Sequence, residues 1–130
     1  MADKAVSILI VDDERPVRTL LNLILTPHFH CDSAESASEA LSLIETKSFD
    51  LALVDLGLPG LSGLGLCRLI VKRNPEISVV VISGETDDQS IADALAAGAV
   101  DYIKKPFDLD PTVRRLQKII EMRIPGAVAS

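Results

Sequence analysis

Short apolar runs alternate along the chain with segments in which apolar residues recur at helical spacing. The clearest runs occupy residues 6–11, 51–54 and 77–82, and weaker ones occupy 28–33 and 100–104. Short, uniformly apolar runs are typical of strands that are covered on both faces. The segments between them place apolar residues three and four positions apart, as amphipathic helices do. The pattern therefore predicts a strand followed by a helix, repeated five times.

Start signals support the helices. Pro16 suits the first turn of a helix, where no backbone N–H is required. Ser36 and Glu39 form a capping box at the start of the second helix. Asp110 and Pro111 predict the start of the last helix, with Asp110 as its N-cap.

Strands that alternate with helices form a parallel sheet with helices on both faces. Five strands fit the flavodoxin-like order 2-1-3-4-5, and 130 residues fit one domain. We predict an α/β fold, a (βα)5 flavodoxin-like, doubly wound parallel five-stranded sheet. This domain is expected to span residues 1–124, and residues 125–130 are expected to be a C-terminal tail or the start of a linker.

Composition narrows the class of protein. Hydrophobic residues make up 48% of the chain and charged residues 25%, as in globular proteins. The net charge of −6 and the lack of a basic block argue against direct nucleic-acid binding by this domain. No apolar run approaches the ~20 residues of a membrane span, and the start of the chain does not have the pattern of a signal peptide. We expect a cytoplasmic protein without membrane contact.

Four residues could suggest redox or metal chemistry. Cys31 and Cys67 form no CxxC pair, and we expect both to be reduced and to serve packing. His28 and His30 would share one face of a strand. Two imidazoles fall short of a closed metal site, and polar residues on an edge strand are the favoured interpretation.

Carboxylates follow two strands that are neighbours in the predicted order. Asp12 and Asp13 end the first strand, and Asp55 ends the third. Ligands of open α/β sheets bind at the carboxyl ends of the strands. Carboxylates this close repel one another unless a cation joins them, and a set of oxygen ligands suits Mg²⁺. We therefore predict a Mg²⁺ site at this edge.

Ser83 ends the fourth strand and Lys105 ends the fifth, at the same edge. A hydroxyl and an ammonium beside a metal-bound carboxylate suit a phosphoryl group on that carboxylate. Each residue alone has a simpler explanation, such as a helix cap or a solvated loop lysine. Their joint occurrence at four strand ends favours a phosphoryl site.

Over nearly its whole length the chain resembles the receiver domains (CheY-like) of response regulators in bacterial two-component signalling. The matching segments are Ile8–Glu14, Asp55–Gly63, Val81–Gly84, Gly98–Tyr102 and Lys104–Phe107. The resemblance implies that Asp55 accepts a phosphoryl group from a kinase histidine. It also implies that Asp13 and the backbone carbonyl of Gly57 bind Mg²⁺ directly, and that Asp12 acts mainly through water. Lys105 would contact the phosphoryl oxygens.

The same resemblance implies a switch. Ser83 would hydrogen-bond the phosphoryl group, and Tyr102 would be the aromatic residue that turns inward as Ser83 moves. The Lys105–Pro106 bond resembles one that is cis in the family. Three positions depart from the family pattern: Leu58 for the common Met, which we expect to be silent, Ser83 for the frequent Thr, and Gly84 for the usual Ala. Ser83 and Gly84, together with Gly57, predict a site more open to water.

The function that follows is a phosphorylation-activated signalling switch. A sensor histidine kinase or phosphotransfer protein would phosphorylate Asp55, and the surface of the fourth helix, fifth strand and fifth helix would change to control a partner or output domain. Its chemistry would be limited to self-phosphorylation from a phosphodonor and autodephosphorylation. A homodimer through the same surface is a further hypothesis.

Other classes remain open. A metal-dependent aspartyl phosphotransferase or phosphatase of the haloacid-dehalogenase type requires a second Asp where Gly57 stands. A flavodoxin-like binder of FMN requires a loop that cradles phosphate, whereas Asp12, Asp13 and Glu14 would repel it. A receiver-like domain that never accepts phosphate is a third alternative, which the intact acids, Ser83 and Lys105 disfavour.

Overall fold

Five parallel strands form one sheet between two layers of helices in the computed structural model, which describes residues 4–58, 60, 62–84, 88–105, 109–123 and 127–128. The strands are β1 (Ser7–Val11), β2 (His30–Ala34), β3 (Leu51–Asp55), β4 (Ser78–Ser83) and β5 (Asp101–Lys104). The helices are α1 (Arg15–Leu25), α2 (Ala37–Thr46), α3 (Gly63–Arg73), α4 (Asp88–Ala96) and α5 (Leu109–Arg123). The strand order β2-β1-β3-β4-β5 confirms the predicted fold.

The sheet separates two aliphatic cores. One lies under α2, α3 and α4, and the other lies under α1 and α5. Alternate residues of each central strand enter opposite cores, and all five residues of β3 are buried. A two-residue parallel pairing of Lys4–Ala5 with Ala127–Val128 lies apart from this sheet.

Side-chain caps begin two of the helices. Ser36 Oγ accepts a hydrogen bond from the backbone N–H of Glu39 at 3.1 Å, as the capping-box sequence predicts. Ser62 Oγ accepts from the N–H of Gly65 in the same way, at 3.1 Å. The predicted N-cap role of Asp110 is wrong, because α5 begins at Leu109 and Asp110 lies in its first turn.

The turn after α1 changes the prediction for the two histidines. The N–H groups of His28 and Phe29 both donate to the carbonyl of Leu25, at 2.9 and 2.8 Å. This turn delays the start of β2 to His30, so His28 lies outside the strand and the predicted shared face is wrong. β2 is nevertheless an edge strand, as predicted.

Both cysteines are free, as predicted. Cys67 is fully buried in the core under α3, and burial raises the pKa of its thiol. Burial also raises the pKa of Cys31 to about 11, so neither thiol is an activated nucleophile. Within the described ranges, no helix has the length and hydropathy that a bilayer span requires.

Candidate functional site at the carboxyl edge of the sheet

Strand register brings the predicted acids together. Val11 of β1 pairs with Val54 of β3, so Asp12 and Asp55 follow at adjacent strand ends. One ligand atom from each of four residues lies within 4.8 Å of the other three, in the group Asp12, Asp13, Glu14 and Asp55. Among the residues that the structure describes, this is the group whose spacing could hold a metal ion, and neither histidine belongs to it.

The chain holds two of these carboxylates in fixed orientations. Asp12 is fully buried, and its Oδ1 accepts the backbone N–H of Glu14 at 2.8 Å. Asp55 is 5% exposed, and its Oδ1 accepts the N–H of Gly57 at 3.0 Å. Each acid therefore directs its second oxygen toward the shared space between the strand ends.

Gly63 allows α3 to begin directly beneath the site. A Cβ at this position would overlap the backbone carbonyl oxygen of Asp55. Glycine is therefore required where α3 approaches the end of β3. This close approach occurs at Asp55, whose carboxylate lies at the carboxyl edge of the sheet.

Lys105 supplies the positive charge. Its Nζ lies 3.1 Å from Asp12 Oδ2, 3.5 Å from Asp55 Oδ2 and 3.7 Å from a carboxylate oxygen of Glu14. The backbone N–H of Lys105 donates to the carbonyl of Ser83 at 2.9 Å, which ties the end of β5 to the end of β4. Burial alone would lower the pKa of Lys105, but hydrogen bonding to Asp12 and the charges of Asp55, Asp12 and Glu14 outweigh it and raise the pKa.

The surroundings of Asp55, by contrast, disfavour its charged form. Burial raises its pKa, and the neighbouring charge of Asp12 adds to the rise, while the N–H of Gly57 and Lys105 offset only part of it. The Lys105 ammonium contacts three of the four grouped carboxylates, those of Asp12, Glu14 and Asp55. The charges of Asp12 and Asp55 still repel each other. A divalent cation would relieve this repulsion.

The donor set fits Mg²⁺. Asp12 Oδ2 is buried, and Lys105 Nζ lies 3.1 Å from it as its ion-pair partner. Carboxylate oxygens and a nearby backbone carbonyl are the hard ligands that Mg²⁺ takes. The charge and the chemistry of these residues therefore suit a group that could hold a metal ion.

A cavity of about 480 Å³ opens over the acids. The cavity is lined by predicted residues at the ends of β3, β4 and β5 and by Ser90 of α4. The lining residues are Asp13, Glu14, Asp55, Leu56, Gly57, Ser83, Gly84, Ser90 and Lys105. A Cβ at Gly57 would make only ordinary contact with Asp55, and one at Gly84 would touch nothing within 4 Å. This free space supports the expectation of a site open to water.

Three lining residues, Glu14, Leu56 and Ser90, were not predicted as site residues. Glu14 belongs to the matching segment that ends β1, and its acidic side chain next to Asp13 was the available signal. Ser90 lies in the first turns of α4, and no motif marked it in the sequence. Only packing of α4 against the strand ends brings it to the cavity.

Tyr102 lies on the same face of the sheet as Ser83. Tyr102 pairs with Val81 across β4 and β5, and Ser83 follows Val81 by two residues. Side chains two residues apart on a strand share a face, so the ring and the hydroxyl are diagonal neighbours. Pro106 and its bond to Lys105 lie outside the described residues, as does Phe107.

The fold and this acidic edge define a domain of the CheY-like class. The CheY-like response regulator receiver domain protein from Methanospirillum hungatei superposes with a TM-score of 0.87 at 28% identity, covering 92% of this chain and 97% of that one. The family described as "Response regulator receiver domain" matches residues 8–117. The chain belongs to the response regulator receiver domain family.

Relatives with larger chains share this domain. The DNA-binding transcriptional regulator NtrC of Klebsiella pneumoniae is 36% identical over 112 residues, which is 85% of this chain and 24% of that protein. The receiver domain of NtrX from Brucella abortus is 36% identical with a TM-score of 0.83, covering 88% of this chain and 98% of that one. The chain spans about a quarter of the length of the curated relatives it matches.

Membership in this family implies a phosphodonor partner and a place in two-component signalling. Family membership favours the receiver interpretation over the haloacid-dehalogenase-type and FMN-binding alternatives.

Proposed function

We propose that the chain is a phosphorylation-activated switch in which Asp55 accepts a phosphoryl group from the histidine of a sensor kinase or a phosphotransfer protein. The observation that carries the proposal is the position of Lys105, whose Nζ lies within 3.5 Å of buried carboxylate oxygens of both Asp12 and Asp55. A phosphoryl group on Asp55 would enter the cavity beside this ammonium. Lys105 could then leave its carboxylate partners for the phosphoryl oxygens.

The transfer is a substitution at phosphorus. The Asp55 carboxylate attacks, a P–O bond forms, and the P–N bond to the donor imidazole breaks. The N–H of Gly57 holds the carboxylate in orientation. Asp13, Asp55 and the carbonyl of Gly57 would hold Mg²⁺ directly, with Asp12 acting through water, and the bound ion would supply charge neutralisation. Apart from self-phosphorylation and autodephosphorylation, no enzymatic activity is proposed.

The output follows from Ser83 and Tyr102. A phosphoryl group adds roughly two negative charges, which attract the Ser83 hydroxyl, and the Tyr102 ring could follow on the same face of the sheet. The affected surface is that of α4, β5 and α5. A partner or an output domain following a receiver of residues 1–124 would bind this surface in the cytoplasm, residues 125–130 being a tail or linker. The description of the NtrC relative as a DNA-binding transcriptional regulator suggests transcriptional control by such an output domain.

Intact mass spectrometry tests the proposal. The protein is incubated with acetyl phosphate and Mg²⁺, and wild type is compared with Asp55→Asn. We expect one phosphate adduct in wild type and none in the variant, with Asp50→Asn as the matched control that keeps the adduct. An adduct in Asp55→Asn at the wild-type level would refute the assignment.

A further inference from the structure

Arg115 of α5 contacts Tyr102 at the edge of the sheet. Its guanidinium carbon lies 5.2 Å from the centroid of the Tyr102 ring. The same guanidinium donates through Nε and Nη2 to the two carboxylate oxygens of Asp101, at 3.0 and 2.6 Å. The backbone N–H of Tyr102 also donates to Asp101, at 2.8 Å. We call Asp101, Tyr102 and Arg115 the Arg115 cluster; each member contacts the other two.

The cluster joins the two helix layers. Successive side chains of β5 point to opposite faces, so Ile103 packs in the core under α1 and α5, whereas Tyr102 packs against the core under α2, α3 and α4. Because β5 is an edge strand, a long side chain from α5 can pass around it. Arg115, a residue of α5, therefore contacts the Tyr102 ring, which lies on the opposite face of the sheet, under α2, α3 and α4.

The ion pair fixes the guanidinium in place. Donation to Asp101 raises the pKa of Arg115. Burial alone would raise the pKa of Asp101, but the hydrogen bonds from Arg115 and from the N–H of Tyr102 outweigh it and lower the pKa. Both groups are charged near neutral pH. A bidentate contact of this kind is directional, so the guanidinium cannot follow the ring inward without breaking it.

We infer that Asp101 and Arg115 are positioning residues that restrain Tyr102 in its partly buried position, and that they thereby lower the affinity of the Asp55 site for a phosphoryl group. The inference rests on the proposed function. Movement of the ring toward Ser83 would remove it from the face of the cation. When the state that binds best is populated only in part, the apparent affinity falls by that fraction. Loss of the contact between Arg115 and the Tyr102 ring would raise the fraction of the protein that is in the best-binding state.

Binding of beryllium fluoride, a phosphoryl analogue, tests this inference in the presence of Mg²⁺. Affinities are measured by isothermal titration calorimetry. Loss of one cation–ring contact at an exposed site corresponds to about 2- to 5-fold in an equilibrium constant. We expect Arg115→Gln to bind the analogue about 2- to 5-fold more tightly than wild type, and Asp101→Asn to change the affinity in the same direction.

Arg114→Gln is the matched control, because Arg114 is the neighbouring exposed arginine of α5. It removes the same charge without touching the ring. Electrostatics alone would make both variants bind an anion less tightly, which is opposite in sign to the expected result. In a Tyr102→Ala background, Arg115→Gln should no longer change the affinity, since the effect passes through the ring.

Two results would overturn the inference: an Arg115→Gln affinity equal to or weaker than that of Arg114→Gln, or the same gain in the Tyr102→Ala background. A purely structural role would lower the melting temperature of Arg115→Gln and leave the affinity unchanged. Failure of the proposed function is distinguishable, because wild type itself would then not bind the analogue, and the inference would fall with it.

Discussion

Two buried aspartates flank the strand β3, and their surroundings differ. Asp50 stands before the strand at the amino edge of the sheet, and Asp55 closes it at the carboxyl edge; they are 8% and 5% exposed. Asp50 Oδ2 accepts the backbone N–H of Ser7 at 2.9 Å, which joins the starts of β1 and β3. Asp55 has a second buried carboxylate and the Lys105 ammonium beside it.

The comparison shows that burial and residue type do not distinguish a structural acid from a functional one. The amino edge satisfies Asp50 with a backbone donor, which stabilises the fold. At the carboxyl edge the strand ends converge on a cavity, and acids collect there in excess of cations. That excess costs stability, and under the proposed function it would provide the affinity for a cation.

The largest effect is expected at Gly63, where α3 meets the Asp55 end of the strand. Gly63→Ala places a Cβ against the backbone carbonyl of Asp55, and we expect a loss of about 3 kcal/mol or more in the free energy of unfolding. Gly57→Ala is the control, because its Cβ would make only ordinary contacts, and we expect a change within ~0.5 kcal/mol. Urea denaturation measures both. Equal stabilities would show that α3 does not require this close approach.

Neutralising each aspartate gives a direct test of the comparison. Asp50→Asn weakens a charge-assisted hydrogen bond and should cost about 1 kcal/mol. Asp55→Asn keeps an oxygen for the N–H of Gly57 and removes the repulsion with Asp12, so without Mg²⁺ we expect it to stabilise the protein. Urea denaturation in EDTA measures the two signs, and equal signs would contradict the comparison.

Mg²⁺ sharpens the same test. A ligand that binds only the folded state stabilises it by about 2.7 kcal/mol at 100 times its dissociation constant. Added Mg²⁺ should therefore stabilise wild type more than Asp55→Asn.

The smallest effects are expected from pH, and they differ in sign between Asp55 and Asp101. The raised pKa of Asp55 means that its charge costs stability, a cost absent below the ordinary value of 3.8 and complete above the raised folded value. The lowered pKa of Asp101 means that its charge adds stability, present above 3.8 and lost as pH falls through the folded value. As the pH falls, protonation of Asp55 should therefore raise the stability of the folded state, whereas protonation of Asp101 should lower it.

Urea denaturation between pH 3 and 6 checks this prediction on wild type, Asp55→Asn and Asp101→Asn without Mg²⁺. The stability advantage of Asp55→Asn should shrink as pH falls toward 3.8, and the deficit of Asp101→Asn should shrink as pH falls below 3.8. Parallel pH profiles for all three proteins would contradict both assignments.

Much of the fold could be predicted because short stretches of sequence determine its strands and helices. The buried runs of β1, β3 and β4, the capping sequence at Ser36 and the acids at strand ends are each encoded within a few residues. Parallel strands put all their carboxyl ends at one edge, so Asp12, Asp55, Ser83 and Lys105 could be assigned to one site before any distance was known.

Errors arose where contacts between neighbouring elements set the boundary. His28 has strand-compatible neighbours, yet the turn that closes α1 on the carbonyl of Leu25 keeps it out of β2. Asp110 has the sequence of a cap, yet α5 starts at Leu109.

The sequence by itself determined the alternation of strands and helices, the strand order and the chemistry of the carboxyl edge. Only the tertiary structure decided which oxygen of Asp55 remains directed toward Lys105, that Ser90 reaches the cavity, and that Arg115 covers the ring of Tyr102. The physical reason is range. Periodicity and capping act between residues close in the chain, whereas these contacts join residues that are distant in the chain, through packing that no local pattern specifies.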